Sequence, residues 1–233
     1  MNDIKPTWYD SFYRQKKILS SYPWYTGLTK LLDRENIVLD GKSILEIGSG
    51  AGEFLNSLKC TNCKIFGVDI SKTALKIAQS NSDSAHFLCS KAEYLPFQTD
   101  SIDIAVCCEV IEHVDNPHKT IKEIYRVLKP NGLLFLSFPN YYNPIYLAVR
   151  IIATVFNKPN LISLQIVDRY LFYNFVLKDF LKEGFKVINK KGTCYSHQKI
   201  PGLKFINTFE SQFDMLNLQF LSFHPVILFK KQQ

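Results

Sequence analysis

Two short stretches hold side chains whose types and spacing can do chemistry. ILEIGSGAGEF (44–54) sets a carboxylate, Glu46, inside an apolar run and follows it with Gly48, Gly50 and Gly52. Glycines at that spacing allow a tight turn and a close approach of backbone to a ligand. Glu46 would face the cationic end of that ligand. A second carboxylate, Asp69, comes seventeen residues after Gly52 and can accept two hydrogen bonds from ribose hydroxyls. EVIEH (109–113) then gathers Glu109, Glu112 and His113. Such a set offers a general base toward a hydroxyl or amine, or ligands for a divalent cation.

The elements around these residues say where they sit. Apolar runs at 43–47, 64–70, 85–90, 103–110 and 133–138 read as strands. Between them, GEFLNSLK and TALKIAQS read as helices, and Ser71 is an N-cap candidate. Ile121, Ile124, Tyr125 and Leu128 make an apolar stripe that predicts another helix, stopped by KPNG (129–132). Strands alternating with helices predict right-handed βαβ units and a parallel, doubly wound α/β sheet. A helix over 174–185 and strands at 185–191 and 224–231 complete it. Residues 7–36 read as two aromatic helices separated at Pro23, and IYLAVRIIATVF (145–156) as a buried or surface-docked helix. In such a sheet ligands bind at the carboxyl ends of the strands, where Glu46, the glycines and Asp69 converge.

Two ligands fit a glycine turn followed by a ribose-binding carboxylate: a dinucleotide and S-adenosylmethionine. The dinucleotide pattern G-x-G-x-x-G/A, counted from Gly48, ends on Glu53, which would crowd the strand–helix contact and repel a pyrophosphate. The pattern present is E-x-G-x-G-x-G, which suits a ligand with ammonium and sulfonium groups.

At this point the chain resembles the class I S-adenosylmethionine-dependent methyltransferases, of the type-11 kind. ILEIGSGAGEF is similar to their first motif, and FGVDIS, KAEYLPF, SIDIAVCCEVIEHVDNP and IYRVLKPNGLLFLSFPN follow in order over residues 40–140. The resemblance implies a Rossmann-like seven-stranded sheet, mostly parallel, with the last strand, HPVILFKK, antiparallel and helices on both faces. It also implies a cofactor, S-adenosylmethionine, and the residues that hold it. The backbone of Gly48, Ser49 and Gly50 would meet the methionine portion, Asp69 the ribose and Ile70 the adenine. Ala92 and Glu93 would frame the adenine's polar edge, and Cys108 and Glu109 the floor near the reactive methyl. Lys91 departs from the family's usual aspartate and cannot accept the adenine amine. The E-x-x-E-H segment is similar to one in ubiquinone-pathway O-methyltransferases and small-RNA ribose methyltransferases, where it can ligate a cation. The latter add a histidine in the region of residues 168–170, absent here, and no metal is assigned. His113 is the candidate general base.

The remaining sequence bounds the partner. At 233 residues, 46% hydrophobic and 21% charged, the chain is long and apolar enough for one globular α/β domain. Its expected parts are a helical cap (1–40), a cofactor-binding core (41–140), and acceptor-side insertions at 141–172 and 192–222. The net charge of +7 is uneven: residues 1–140 hold 16 basic and 16 acidic side chains, residues 141–233 hold 12 and 5. That favours an anionic partner, such as a phosphorylated metabolite, a nucleic acid or an anionic membrane surface. No secretory leader or membrane-length apolar run is read, and all six cysteines read as small hydrophobes in a reducing cytoplasm. Tyrosines in PNYYNPIYLAV and DRYLFYNF suit a flat or amphipathic small molecule. The reading is O-methylation of a small, aromatic or anionic acceptor, with a nucleic-acid methyltransferase or a non-catalytic cofactor-binding protein as alternatives.

Overall fold

The computed structural model describes residues 4–15, 22–82, 84–140, 143–156, 172–195 and 204–233. Seven strands form one sheet: β1 (Ser43–Ile47), β2 (Lys64–Asp69), β3 (Ala85–Cys89), β4 (Ile102–Cys108), β5 (Leu128–Ser137), β6 (Phe185–Lys191) and β7 (Val226–Lys231). Their order is β3-β2-β1-β4-β5-β7-β6. All run parallel except β7, which is antiparallel to both neighbours. From β1 the chain moves outward to β3, then returns to β4 and moves outward the other way. The crevice between the carboxyl ends of β1 and β4 is therefore the switch point where such sheets bind ligands.

Alternation along the strands divides the core into two layers. Leu45, Ile47, Leu134, Leu136, Ile227 and Phe229 face the helices α5 (Pro117–Val127) and α7 (Tyr173–Lys182). Ile44, Ile104, Phe135 and Leu228 face the other way, toward α2 (Pro23–Arg34) and α3 (Glu53–Ser57). The remaining helices are α1 (Ile4–Gln15), α4 (Lys72–Ser80), α6 (Pro144–Val155) and α8 (Glu210–Met215). Pro23 starts α2 rather than breaking one long helix, and Ser71 caps α4 by accepting the Ala74 N–H at 3.1 Å. Within α2, a Cβ on Gly27 would lie 2.6 Å from Thr193 and 2.8 Å from Val226, so a glycine there lets the helix press against the segment after β6 and the start of β7.

Two details depart from the sequence reading. KPNG does not separate helix from strand: β5 begins at Leu128, and its pairing with β4 shifts between Ile102 and Ile104 where Asn131 takes a φ of 65°. The glycine and asparagine form an irregularity inside the strand, not a loop before it. Cys60 and Cys63, expected to be reduced, are joined by a disulfide, while Cys89, Cys107, Cys108 and Cys194 are free. Among the described residues no helix is long and apolar enough to cross a membrane. The 192–222 excursion leaves from the carboxyl end of β6 and returns at the start of β7, beside the end of β5. That is the ligand edge. Residues 157–171 and 196–203, which hold much of the expected acceptor-side segments, lie outside the described residues, as do Tyr141 and Tyr142.

Candidate active site

The turn after β1 is built on left-handed backbone. Gly48, Gly50 and Gly52 have φ of 73°, 54° and 79°, where a side chain strains the chain. Space gives a second reason: a Cβ on Gly48 would lie 2.3 Å from Val110, and one on Gly50 2.4 Å from the Tyr13 hydroxyl. The N–H groups of Gly48 and Ser49 donate to the Val68 carbonyl at 2.7 and 3.0 Å, locking the turn to the end of β2. Asp69 completes the lock. Its carboxylate accepts the Gly50 N–H at 2.9 Å and the Ser71 N–H at 2.8 Å. Burial raises its pKa, against those two hydrogen bonds.

Glu46 is buried in the layer facing α2. One oxygen accepts the Tyr25 hydroxyl at 2.8 Å; Oε2 has no hydrogen-bond partner, and neither has the buried hydroxyl of Ser49. Burial pushes the Glu46 pKa well above the carboxylate range, and the Tyr25 bond opposes it. A buried acid with an unused oxygen beside a glycine turn is poised for a cationic ligand group.

A second constellation closes the other side of the crevice. Glu109 leaves β4 with a φ of 57°, an uncommon conformation for a residue other than glycine. That turn aims its carboxylate sideways along the strand ends. Oε1 accepts the Ser137 hydroxyl from the end of β5, and Oε2 lies 2.9 Å from Nδ1 of His224, just before β7. His224 is held from both sides: its carbonyl accepts the Thr193 hydroxyl at 2.5 Å and its N–H donates to the Thr193 carbonyl at 3.3 Å. Its ring lies 5.1 Å from that of Trp24 and keeps 24% of its surface exposed. A carboxylate at Nδ1 favours the tautomer with its proton there and its lone pair on Nε2. The arrangement can take a proton from a hydroxyl.

The other sequence-predicted residues divide between the crevice and its supports. Cys108 is buried beneath Glu109, and burial raises its thiol pKa well above the usual range. Ile70 is half-buried beside Asp69, and Ala92 is buried. Glu93 is buried and accepts the N–H groups of Asp115 and Asn116 at 2.7 and 3.1 Å, so it braces the loop after EVIEH. Lys91 points to Asp115 at 3.5 Å. His113 turns Nε2 toward Glu112 at 3.5 Å, under the ring of Tyr9. Among the described residues no three of these side chains group as a metal would require.

Four participants were invisible to motif reading. Asp10 and Tyr13 come from α1, which lies across the ends of β1 and β2: Asp10 accepts the Ser71 hydroxyl at 2.6 Å and the Thr73 N–H at 2.9 Å. Ser137 and His224 lie 28 and 115 residues from Glu109. No motif marks His224; only the antiparallel return of β7 beside β5 brings it to Glu109.

The chain resembles known proteins in sequence and in fold. A family described as a methyltransferase domain matches residues 45–136. Over those residues the chain is similar to class I methyltransferases. The ubiquinone biosynthesis O-methyltransferase of Glaesserella parasuis serovar 5 is 32% identical over 120 residues, 48% of this chain and 51% of that one. The mitochondrial ubiquinone biosynthesis O-methyltransferase of Schizosaccharomyces pombe is 27% identical over 85% of this chain and 74% of that one. The chain spans about half the length of the first curated relatives it matches. Among solved structures, a chain of the Haloferax volcanii complex between the Trm112 methyltransferase activator and a methyltransferase covers 98% of this chain and 97% of itself, with a TM-score of 0.72 and 20% identity. An S-adenosylmethionine-dependent methyltransferase of Thermotoga maritima, titled a possible histamine N-methyltransferase, has a TM-score of 0.64 at 22% identity, covering 89% of this chain and 90% of that one. These structures share the fold. The cofactor of the methyltransferase domain is S-adenosylmethionine, and the residues fit it. The unused Glu46 oxygen and Ser49 hydroxyl are polar groups awaiting a partner, and the turn at Gly48 and Gly50 leaves no room for side chains.

Proposed function

We propose that this protein transfers the methyl group of S-adenosylmethionine to a hydroxyl of a small, flat or amphipathic acceptor, aromatic or anionic in character, in the cytoplasm. In this reading Glu46 and the backbone of Gly48, Ser49 and Gly50 hold the methionine end. Asp69 takes the ribose, and Ile70, Ala92 and Glu93 surround the adenine. Cys108 and Glu109 form the floor beside the acceptor. The cofactor supplies an electrophilic methyl group. The carbon–sulfur bond breaks as the new carbon–oxygen bond forms, leaving S-adenosylhomocysteine, and the hydroxyl proton needs an acceptor. The observation that carries O-methylation is the Glu109–His224 pair, with Ser137 fixing the carboxylate. His224 Nε2 takes the proton, and Glu109 holds the ring and stabilises the imidazolium. The names of the relatives support a hydroxyl as the acceptor. His113 is the rival base, and the same experiment separates the two.

The test begins with calorimetric titration of S-adenosylhomocysteine. Binding to the wild type should weaken roughly tenfold or more in Asp69→Ala, which loses hydrogen bonds to a charged group. Methylation of a panel of catechols, with and without a chelator, follows. His224→Asn should lower kcat about 10²-fold or more while leaving S-adenosylhomocysteine affinity unchanged. No heat from the folded wild type would overturn the cofactor assignment. A large loss in His113→Asn with none in His224→Asn would move the base to His113.

A further inference from the structure

The methyl-transfer reading gives no role to Trp24, which stands beside its base. The chain holds two tryptophans, Trp8 and Trp24. Trp24 follows Pro23 at the start of α2, and its ring lies 5.1 Å from that of His224 with the planes 51° apart. Gly27 registers α2 on the His224 segment, because its missing side chain lets the helix reach Thr193 and Val226. Thr193 is the residue that holds the His224 backbone, and Val226 comes two residues after His224. Other rings hold the indole in turn. Tyr22 stacks on it at 4.6 Å and 19°, and Tyr25 meets it edge-on at 6.1 Å. Tyr25 is itself stacked on Phe54 at 4.9 Å and bonded to Glu46. Around the imidazole, then, Glu109 supplies the charge, Trp24 the near ring and Phe223 a farther one at 6.5 Å.

We propose that Trp24 is a positioning residue for proton removal: its ring keeps the His224 imidazole turned with Nε2 toward the acceptor and stabilises the cation that forms there. The proposal rests on His224 being the base. Glu109 fixes the imidazole at one atom, Nδ1, and a single hydrogen bond leaves the ring free to swing about it. A rigid flat neighbour removes that swing. In the transfer step the acceptor O–H gives its proton to Nε2 while its oxygen bonds the methyl carbon, and the carbon–sulfur electron pair returns to sulfur. Positive charge leaves the sulfonium and appears on the imidazole, between the Glu109 carboxylate and the Trp24 ring. A cation within about 6 Å of an aromatic centroid is attracted by the ring electrons, and tryptophan attracts it best. Neutral imidazole gains much less, so the contact strengthens as the proton moves. An interaction stronger in the transition state than before it shows in kcat and leaves KM alone. His224 is only partly exposed, so water screens the contact weakly.

The test measures methylation of protocatechuate, a catechol both aromatic and anionic, by the full chain. Trp24→Leu keeps apolar bulk without ring electrons and should lower kcat about tenfold, with acceptor KM and S-adenosylhomocysteine affinity as in the wild type. Trp24→Phe should recover most of that loss. In a His224→Asn background Trp24→Leu should cost nothing further, because the indole acts through the imidazole. A shape-preserving series covers a leucine variant that fails to fold: in Trp8→Phe, fluorotryptophans of rising fluorine number at position 24 should lower kcat step by step. NMR reads the contact without turnover. The His224 ring-proton resonance, identified by its absence in His224→Asn, should move in Trp24→Leu as the indole ring current is lost. Wild-type kcat in Trp24→Leu, an equal loss in both backgrounds, a flat fluorine series or an unmoved resonance overturns the proposal. So does a loss confined to acceptor KM, because the indole would then be a wall of the acceptor pocket. His224→Asn alone keeps the two readings apart: full activity there removes the base itself, whereas a loss there with none in Trp24→Leu removes only the role of Trp24.

Discussion

Glu46 carries the sharpest single-residue consequence. Its pKa in the folded, cofactor-free protein is raised by burial. The fold therefore favours the protonated acid, and the stability it contributes is full below the ordinary carboxylate range. That contribution is lost as pH rises through the raised value, because the ionised form is buried with one oxygen unpartnered. Glu46→Gln keeps the acceptor for Tyr25 and removes the charge. The cofactor-free variant should melt higher than the wild type at pH 8 and close to it at pH 4, by about 2–4 °C for each kcal/mol recovered. Thermal melts at the two pH values check this, and S-adenosylmethionine affinity should fall in the same variant. A melt at pH 8 below that of the wild type would contradict the sign. That Glu46, Gly48, Gly50 and Asp69 converge was legible because their placement depends on neighbours in the chain and on adjacent strand ends. His224 was not, because a histidine shows no pattern of its own and its partner is 115 residues away.

Among the elements, α1 is the one whose position decides how the site opens. It meets α4 and the glycine turn through Asp10 and Tyr13. The Ser71 hydrogen bond lowers the Asp10 pKa. A lowered folded pKa means that the contribution is present above the ordinary carboxylate range and disappears as pH falls through the lowered value. Docking of α1 should therefore loosen in acid. Asp10→Ala should loosen it at neutral pH, seen as faster amide exchange across α1 and a faster release of S-adenosylhomocysteine, with the exchange of β1 and β4 unchanged. Exchange across α1 equal to that of the wild type would show that Tyr13 alone holds it. Strand and helix periods made the alternating elements of the core readable. The placement of α1 was not readable, since a polar contact through one aspartate leaves no period in the sequence. KPNG misled for a related reason: turn residues mark an irregular backbone, and here the irregularity lies inside β5.

At the scale of the whole molecule, the last strand holds the sheet together. β7 runs between β5 and β6, so the final residues of the chain join two parts that are otherwise unpaired. Lys231 fastens that strand. Its buried ammonium donates to the Tyr125 and Leu128 carbonyls at 2.9 and 2.7 Å and to Asp100 at 2.7 Å, and it lies 4.5 Å from the Tyr125 ring. These partners close the end of α5, the start of β5 and the turn before β4. Lys231→Met fits the same space but leaves two carbonyls without a donor. Asp100 is 45% exposed and can turn to water, so its charge adds little to the cost. The expected loss is about 2–4 kcal/mol, a fall in melting temperature of roughly 5–15 °C for a chain of this size. S-adenosylhomocysteine affinity of the folded fraction should hold, since the ligand edge lies at the opposite end of these strands. An unchanged melting temperature would mean that pairing of β7 with β5 and β6 fixes the strand without its lysine.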